Sequence, residues 1–137
     1  MITRRTFCLS TSAAAGLTLA PGLAQASGWI DYAPGLVDER LAAGETVLAD
    51  FFATWCSTCR RQERVMDELR QANPAYDTAI TFVKVDWDSY GRGDLASRLA
   101  VPRRSTLVLL RGERELGRLV ADTRRNAIAG LLDRAVA

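Results

Sequence analysis

Thr46-Val47-Leu48-Ala49-Asp50-Phe51-Phe52-Ala53-Thr54-Trp55-Cys56-Ser57-Thr58-Cys59 runs from an almost unbroken apolar stretch straight into a pair of cysteines. Residues 46–53 have the length and composition of a strand buried on both faces, with Asp50 as the one charged member. Beyond Cys56 the pattern changes period. Val65, Met66 and Leu69 share one face of a helix over 56–72, with Arg60, Arg61, Arg64 and Arg70 elsewhere, and Asn73-Pro74 ends it. Two cysteines separated by two residues at the start of a helix can open and close a disulfide, and the helix N-terminus favours the thiolate of the first. Cys56 is the candidate nucleophile.

Two plainer readings of the pair stand beside the redox one. A structural staple closing so short a loop contributes only about 2 kcal/mol in chain-entropy terms. Half of a structural zinc site needs two more nitrogen or sulfur ligands, and the chain has no histidine and no second cysteine pair, so only a dimer sharing two pairs could complete it. The absence of histidine also excludes histidine-based hydrolysis, histidine-bound catalytic zinc and histidine-ligated haem.

Outward from this junction, residues 28–33 read as a short strand or an arm. Residues 34–43 read as a helix with Pro34 at its start and Gly44 past its end. Residues 79–85 form a second core strand, 93–100 a short helix and 106–110 a third strand; 115–121 is a strand after the turn Arg111-Gly112-Glu113-Arg114, and 122–136 a closing helix. That order predicts an α/β fold, a mixed sheet with helices on both faces. There is no internal repeat, and Arg92-Gly93-Asp94 reads as a chance match to an adhesion tripeptide.

The 137 residues suffice for one domain with one core. Residues 1–26 stand apart, with Arg4 and Arg5 and no acid, then an alanine- and leucine-containing stretch, then Pro21 and Ala24-Gln25-Ala26. That is the pattern of a cleavable export signal, and Thr3-Arg4-Arg5-Thr6-Phe7-Cys8-Leu9 resembles the twin-arginine type. The domain is then 27–137, periplasmic after cleavage near Ala26 and Ser27. The leader's apolar part is too short and interrupted to span a membrane comfortably. Its removal takes away Cys8 and leaves two cysteines, an even number in an oxidising compartment. It also reduces the 18 basic residues to 16, against 16 acids. A neutral chain lacks the electrostatic basis for nucleic-acid binding.

Together the element order and the segment Ala49-Asp50-Phe51-Phe52-Ala53-Thr54-Trp55-Cys56 resemble the thioredoxin family over essentially the whole of 27–137. The resemblance implies the thioredoxin fold, with Cys56 attacking a substrate disulfide and Cys59 resolving the mixed disulfide. It implies that Trp55 shields the pair and packs beside it; the alternative is a tryptophan that is simply core. Asp50 falls where the family places a buried acid, whose raised pKa would let it accept the Cys59 proton; the alternative is an acid at an exposed strand end. Lys84 occupies the position of a lysine near that acid, as its partner or as a solvated charge.

The resemblance breaks at one place. The family carries a cis-proline before a threonine and an apolar strand, whereas here Arg104-Ser105-Thr106-Leu107 occupies that stretch. Pro102 lies three residues earlier and would require an insertion, so Ser105 aligns with the proline slot. A cis peptide before serine costs about 3 to 4 kcal/mol, which favours a trans Arg104-Ser105 bond and a changed substrate groove. Ser105 brings an N–H and a hydroxyl toward Cys56. Arg103 and Arg104 flank the site, where a guanidinium favours the Cys56 thiolate, or are solvated on a loop. Arg64 replaces a helix-kinking proline of many relatives, predicting a straighter helix. Ser57 and Thr58 differ from the Gly-Pro of ordinary thioredoxins and help set the potential, which leaves an oxidant or isomerase open beside a reductase. Trp55, Ser57, Thr58, Arg104, Ser105 and Thr106 are thus the groove or site-tuning residues.

The expectation is an exported thiol-disulfide oxidoreductase, a reductase of cysteine pairs in other periplasmic proteins. It would work as a monomer with no cofactor beyond the reversible Cys56-Cys59 disulfide and no resident metal, and be kept reduced by a membrane thiol donor. The competing expectation is a thioredoxin-fold module that holds a metal ion or a partner through Cys56, Cys59 and Ser105 with little turnover.

Overall fold

A computed structural model describes residues 28–137; the export-signal reading of 1–26, Cys8 included, lies outside the described residues. The chain runs β1 (Ile30–Asp31), α1 (Leu36–Ala42), β2 (Thr46–Phe52), α2 (Ser57–Ala72), α3 (Ala75–Ala79), β3 (Thr81–Asp86), α4 (Trp87–Tyr90), α5 (Asp94–Arg98), β4 (Thr106–Arg111), β5 (Arg114–Val120) and α6 (Arg125–Val136). One five-stranded sheet forms in the order β1-β3-β2-β4-β5. β2 pairs parallel with β3 and antiparallel with β4, so the sheet is mixed.

β2 is the central strand, and its residues alternate between two cores. Leu48 joins Met66, Leu69, Phe82, Leu107, Leu109, Ile128 and Leu132 under α2 and α6. Val47, Ala49 and Phe51 join Val37, Val83, Val85, Leu95, Val108 and Leu110 under α1 and α5. The two-residue period places Asp50 on the Leu48 face, under α2. Gly44, with φ +86, supplies the left-handed turn after α1, and Gly112, with φ +58, does so between β4 and β5.

The differences from the sequence reading are local. Residue 79 ends a short helix, α3, and the strand that follows begins at Thr81. Once Pro74 has broken α2, one further helical turn lets Tyr76 enter the core before the chain becomes extended. The turn Trp87–Tyr90 forms α4, capped by the Asp86 carboxylate, which accepts from Asp88 N–H at 3.2 Å. Residues 122–124 precede α6; there Asp122 binds the Arg124 backbone and guanidinium. α2 continues unbroken through Arg64.

Candidate active site

Cys56 and Cys59 form a disulfide, with Cα atoms 5.3 Å apart. The bond sits where β2 hands over to α2. Cys56 is the N-cap of α2, in extended conformation, and its sulfur accepts from Cys59 N–H at 3.2 Å. A helix start leaves backbone N–H groups without intrahelical partners, and here one of them points at the sulfur of the first cysteine. That placement favours negative charge on Cys56 when the bond is open. Both cysteines are buried and pack with Ala53, and Phe52 and Trp87 lie against them. Ser57 is exposed and Thr58 half-buried.

Trp55 does not sink beside the pair. It is 56% exposed, its indole N–H donates to Asp88 at 2.9 Å, and the Arg104 guanidinium stacks over its ring at 4.2 Å. The aromatic contact to the cysteines comes instead from the half-buried Phe52 and Trp87, the latter being the first residue of α4. A tryptophan one residue beyond the end of β3 was invisible as a site residue because the sequence supplies no spacing that links it to the cysteines.

Asp50 is completely buried, and neither carboxylate oxygen has a hydrogen-bond partner. Desolvation pushes its pKa up to about 8; the nearby Glu63 carboxylate pushes in the same direction, and Lys84 opposes them. Ionising the acid in this position costs far more than in water, so at neutral pH it holds its proton. The Lys84 reading needs correction. Lys84 is the register partner of Asp50 across β2 and β3, yet its ammonium donates to Glu63 at 2.8 Å, lies 4.4 Å from the Phe52 ring centre, and is neither bonded to Asp50 nor fully solvated. Glu63, half-buried, captures it because a partly hydrated ion pair costs less than an ion pair at the fully enclosed Asp50.

Ser105, and not the exposed Pro102, faces the disulfide. The described residues contain no cis peptide; the Arg104-Ser105 bond is trans, and Ser105 adopts φ +63. That left-handed conformation, uncommon outside glycine, turns the side chain inward. Ser105 Oγ lies 3.2 Å from the sulfur of Cys56 and 3.1 Å from that of Cys59. Three backbone contacts fix it: its N–H donates to Phe51 O at 2.7 Å, and its carbonyl accepts from Ala121 N–H at 2.8 Å and from Gln62 Nε2 at 3.1 Å.

Gln62 is the site residue the sequence reading passed over. Fully buried, it also donates from Nε2 to Asp122 O at 3.1 Å, tying α2 to the loops before β4 and after β5. Its signal was a polar residue on the buried stripe Cys59, Gln62, Met66, Leu69. Thr106, expected in the groove, is buried, and its hydroxyl is spent on Arg103 O at 2.7 Å. Arg103 is exposed; Arg104 is half-buried, with its Nε unpartnered. Among the described residues no group of three or more His, Cys, Asp or Glu side chains could hold a metal ion.

The family model of thioredoxin matches residues 36–134. The chain belongs to the thioredoxin family. It is 30% identical over 83 residues to Thioredoxin-1 of Saccharomyces cerevisiae, covering 61% of this chain and 75% of that protein. It is 29% identical over 96 residues to Thioredoxin 1 of a Nostoc species, covering 70% and 85%. Among solved structures, Trxlp from Edwardsiella tarda is similar with a TM-score of 0.67 and 30% identity, over 77% of this chain and 98% of that one. A thioredoxin from Trypanosoma brucei brucei, at 22% identity and a TM-score of 0.67 over 83% and 96%, shares the fold. The chain thus has the five-stranded mixed sheet of its relatives and, at Cys56-Cys59, the pair of a thiol-disulfide oxidoreductase, a family that acts on protein disulfides.

Proposed function

We propose that this protein is an exported protein-disulfide reductase, acting on cysteine pairs of other periplasmic proteins and recharged by a membrane thiol donor. The observation that carries the reading is the Cys56-Cys59 disulfide at the N-terminus of α2, on the sheet face where β2 also buries an unpartnered, protonated Asp50. In the reduced protein the Cys56 thiolate attacks a substrate disulfide. A Cys56–substrate bond forms, the substrate S–S bond breaks, and the departing thiolate takes up a proton. Cys59 then loses its proton, attacks the Cys56 sulfur and releases the second substrate thiolate, which is protonated in turn. The two electrons gained by substrate are those lost by the dithiol, so the reversible disulfide is the only redox group required. Asp50, when ionised, is the acceptor for the Cys59 proton, with a pKa near the operating pH.

Export rests on Arg4-Arg5 and Ala24-Gln25-Ala26, with release between Ala26 and Ser27. The reductase direction is supported by the compact domain, whose segment between β3 and β4 holds only the short helices α4 and α5. The deciding experiment equilibrates the mature protein with dithiothreitol and glutathione buffers. A potential near about −270 mV agrees with a reductase, whereas one near about −120 mV reverses the direction. Fractionation of cells expressing the full chain, with Arg4-Arg5→Lys-Lys as the control, tests export; wild-type protein remaining in the cytoplasm refutes it.

A further inference from the structure

We infer that the Ser105 hydroxyl is a catalytic hydrogen-bond donor to the Cys56-Cys59 pair, stabilising whichever sulfur carries negative charge and making the couple more oxidising than the same site without it. The inference rests on the oxidoreductase reading above. A disulfide sulfur has no proton to give, so in the oxidised protein the contacts at 3.2 and 3.1 Å are ones in which the hydroxyl donates or simply touches. A neutral sulfur accepts weakly. A thiolate is a charged acceptor, and charge-assisted hydrogen bonds are roughly twice as strong as neutral ones. The same hydroxyl therefore gains more from the reduced protein than from the oxidised one.

Two features make that difference large. Ser105 is fully buried, so water does not replace the donor if it is lost. Its backbone is held on both sides, by Phe51 O at the N–H and by Ala121 N–H and Gln62 Nε2 at the carbonyl, so the hydroxyl stays aimed at the sulfurs without a cost in ordering at each turnover. A proline at this position would supply neither a hydroxyl nor an N–H.

The position also suits both halves of the reaction. With the dithiol reduced, the hydroxyl donates to the Cys56 thiolate and raises the fraction present at neutral pH. After the mixed disulfide forms, the charge moves to Cys59 as its proton leaves, and rotation of one O–H bond transfers the hydrogen bond to that sulfur. The serine neither gains nor loses a proton or an electron; the bonds made and broken are those between sulfurs.

The test compares the wild-type mature protein with Ser105→Ala and Ser105→Gly. Glycine is at home at φ +63, so the second variant keeps the backbone even where alanine strains it. Both lack the hydroxyl. Thiolate absorbance titrates Cys56, and equilibration with dithiothreitol gives the redox equilibrium constant. Both variants should show an equilibrium shifted about tenfold toward the disulfide, a potential lower by about 30 mV for this two-electron couple, and a Cys56 titration about one pH unit higher. Wild-type values within twofold in both variants overturn the inference and leave the oxidoreductase reading intact. A shift in the alanine variant alone also overturns it, because the effect then belongs to the backbone. If the wild-type pair does not cycle with dithiothreitol at all, both readings fall.

Discussion

Replacing Asp50 by asparagine should abolish one component of the pH dependence of stability. The acid is fully enclosed, without a hydrogen bond to either oxygen, and titrates near pH 8 in the folded protein against 3.8 for an unperturbed aspartate. Between those two values the folded protein holds a proton that the unfolded chain has released. Stability therefore falls as pH rises through this window, and levels off above about pH 8 once both states are ionised. Each pH unit inside the window is worth about 1.4 kcal/mol, so from pH 4 to pH 7 the wild type loses about 4 kcal/mol through this one group. Asp50→Asn has nearly the same shape and nothing to titrate.

Urea unfolding of both oxidised proteins at half-unit steps from pH 4.5 to 9 gives the difference between their stabilities, in which the other carboxylates cancel. The variant should gain on the wild type by about 1.4 kcal/mol per unit up to about pH 8 and then run parallel. Parallel curves throughout would show that Asp50 is ionised or hydrated in the folded state, and the proton-acceptor role would go with its raised pKa.

Other consequences are open to direct measurement. Glu63→Gln removes a repulsive carboxylate and releases Lys84, so the window in which stability depends on Asp50 should end below pH 8; an unmoved window refutes the coupling. Gln62→Leu withdraws the donor from two carbonyls and should cost about 2 kcal/mol in urea unfolding, with no loss expected if the tether is idle. Arg104→Ala removes a guanidinium stacked on a largely exposed ring and should cost no more than about 1 kcal/mol, so a larger loss would show that the stack braces the fold. Cys59→Ser should accumulate a Cys56–substrate mixed disulfide visible on a non-reducing gel, and its absence with a disulfide-bonded protein substrate would deny Cys56 the role of attacker.

What could be read in the sequence followed from periodicity. β2 announced itself as an apolar run, α2 as an amphipathic pattern that begins at a cysteine and stops before Pro74, and the adjacency of the two located the disulfide. The short helices α3 and α4, of five and four residues, are too brief to establish a period, and they are set by tertiary demands: Tyr76 fills the core, and Trp87 packs against Ala53 and the cysteines. The identity of Lys84's partner was illegible for a related reason. Register placed it beside Asp50, but the choice between two carboxylates depends on their relative burial, and Glu63 reaches the lysine from a helix above the sheet.

Ser105 shows how a departure in sequence is absorbed by geometry. A cis bond before serine would cost about 3 to 4 kcal/mol, whereas a single left-handed residue costs of order 1–3 kcal/mol, so the trans, left-handed solution is the cheaper way to carry the chain past the disulfide. That solution has a chemical result. The inward turn places a hydroxyl within hydrogen-bond distance of both sulfurs, while Gln62 and Ala121 hold the carbonyl and Phe51 holds the N–H. The Ser105 N–H is thereby spent inside the protein and cannot pair with a substrate backbone. Recognition then draws on side chains exposed around the pair, among them Trp55, with the half-buried Arg104 stacked on its ring, and Ser57. Substrate affinity should accordingly respond to Trp55→Ala more than to changes at the buried Thr106, with KM for a disulfide-bonded protein substrate as the readout; equal sensitivity at both positions would place the groove over β4 instead.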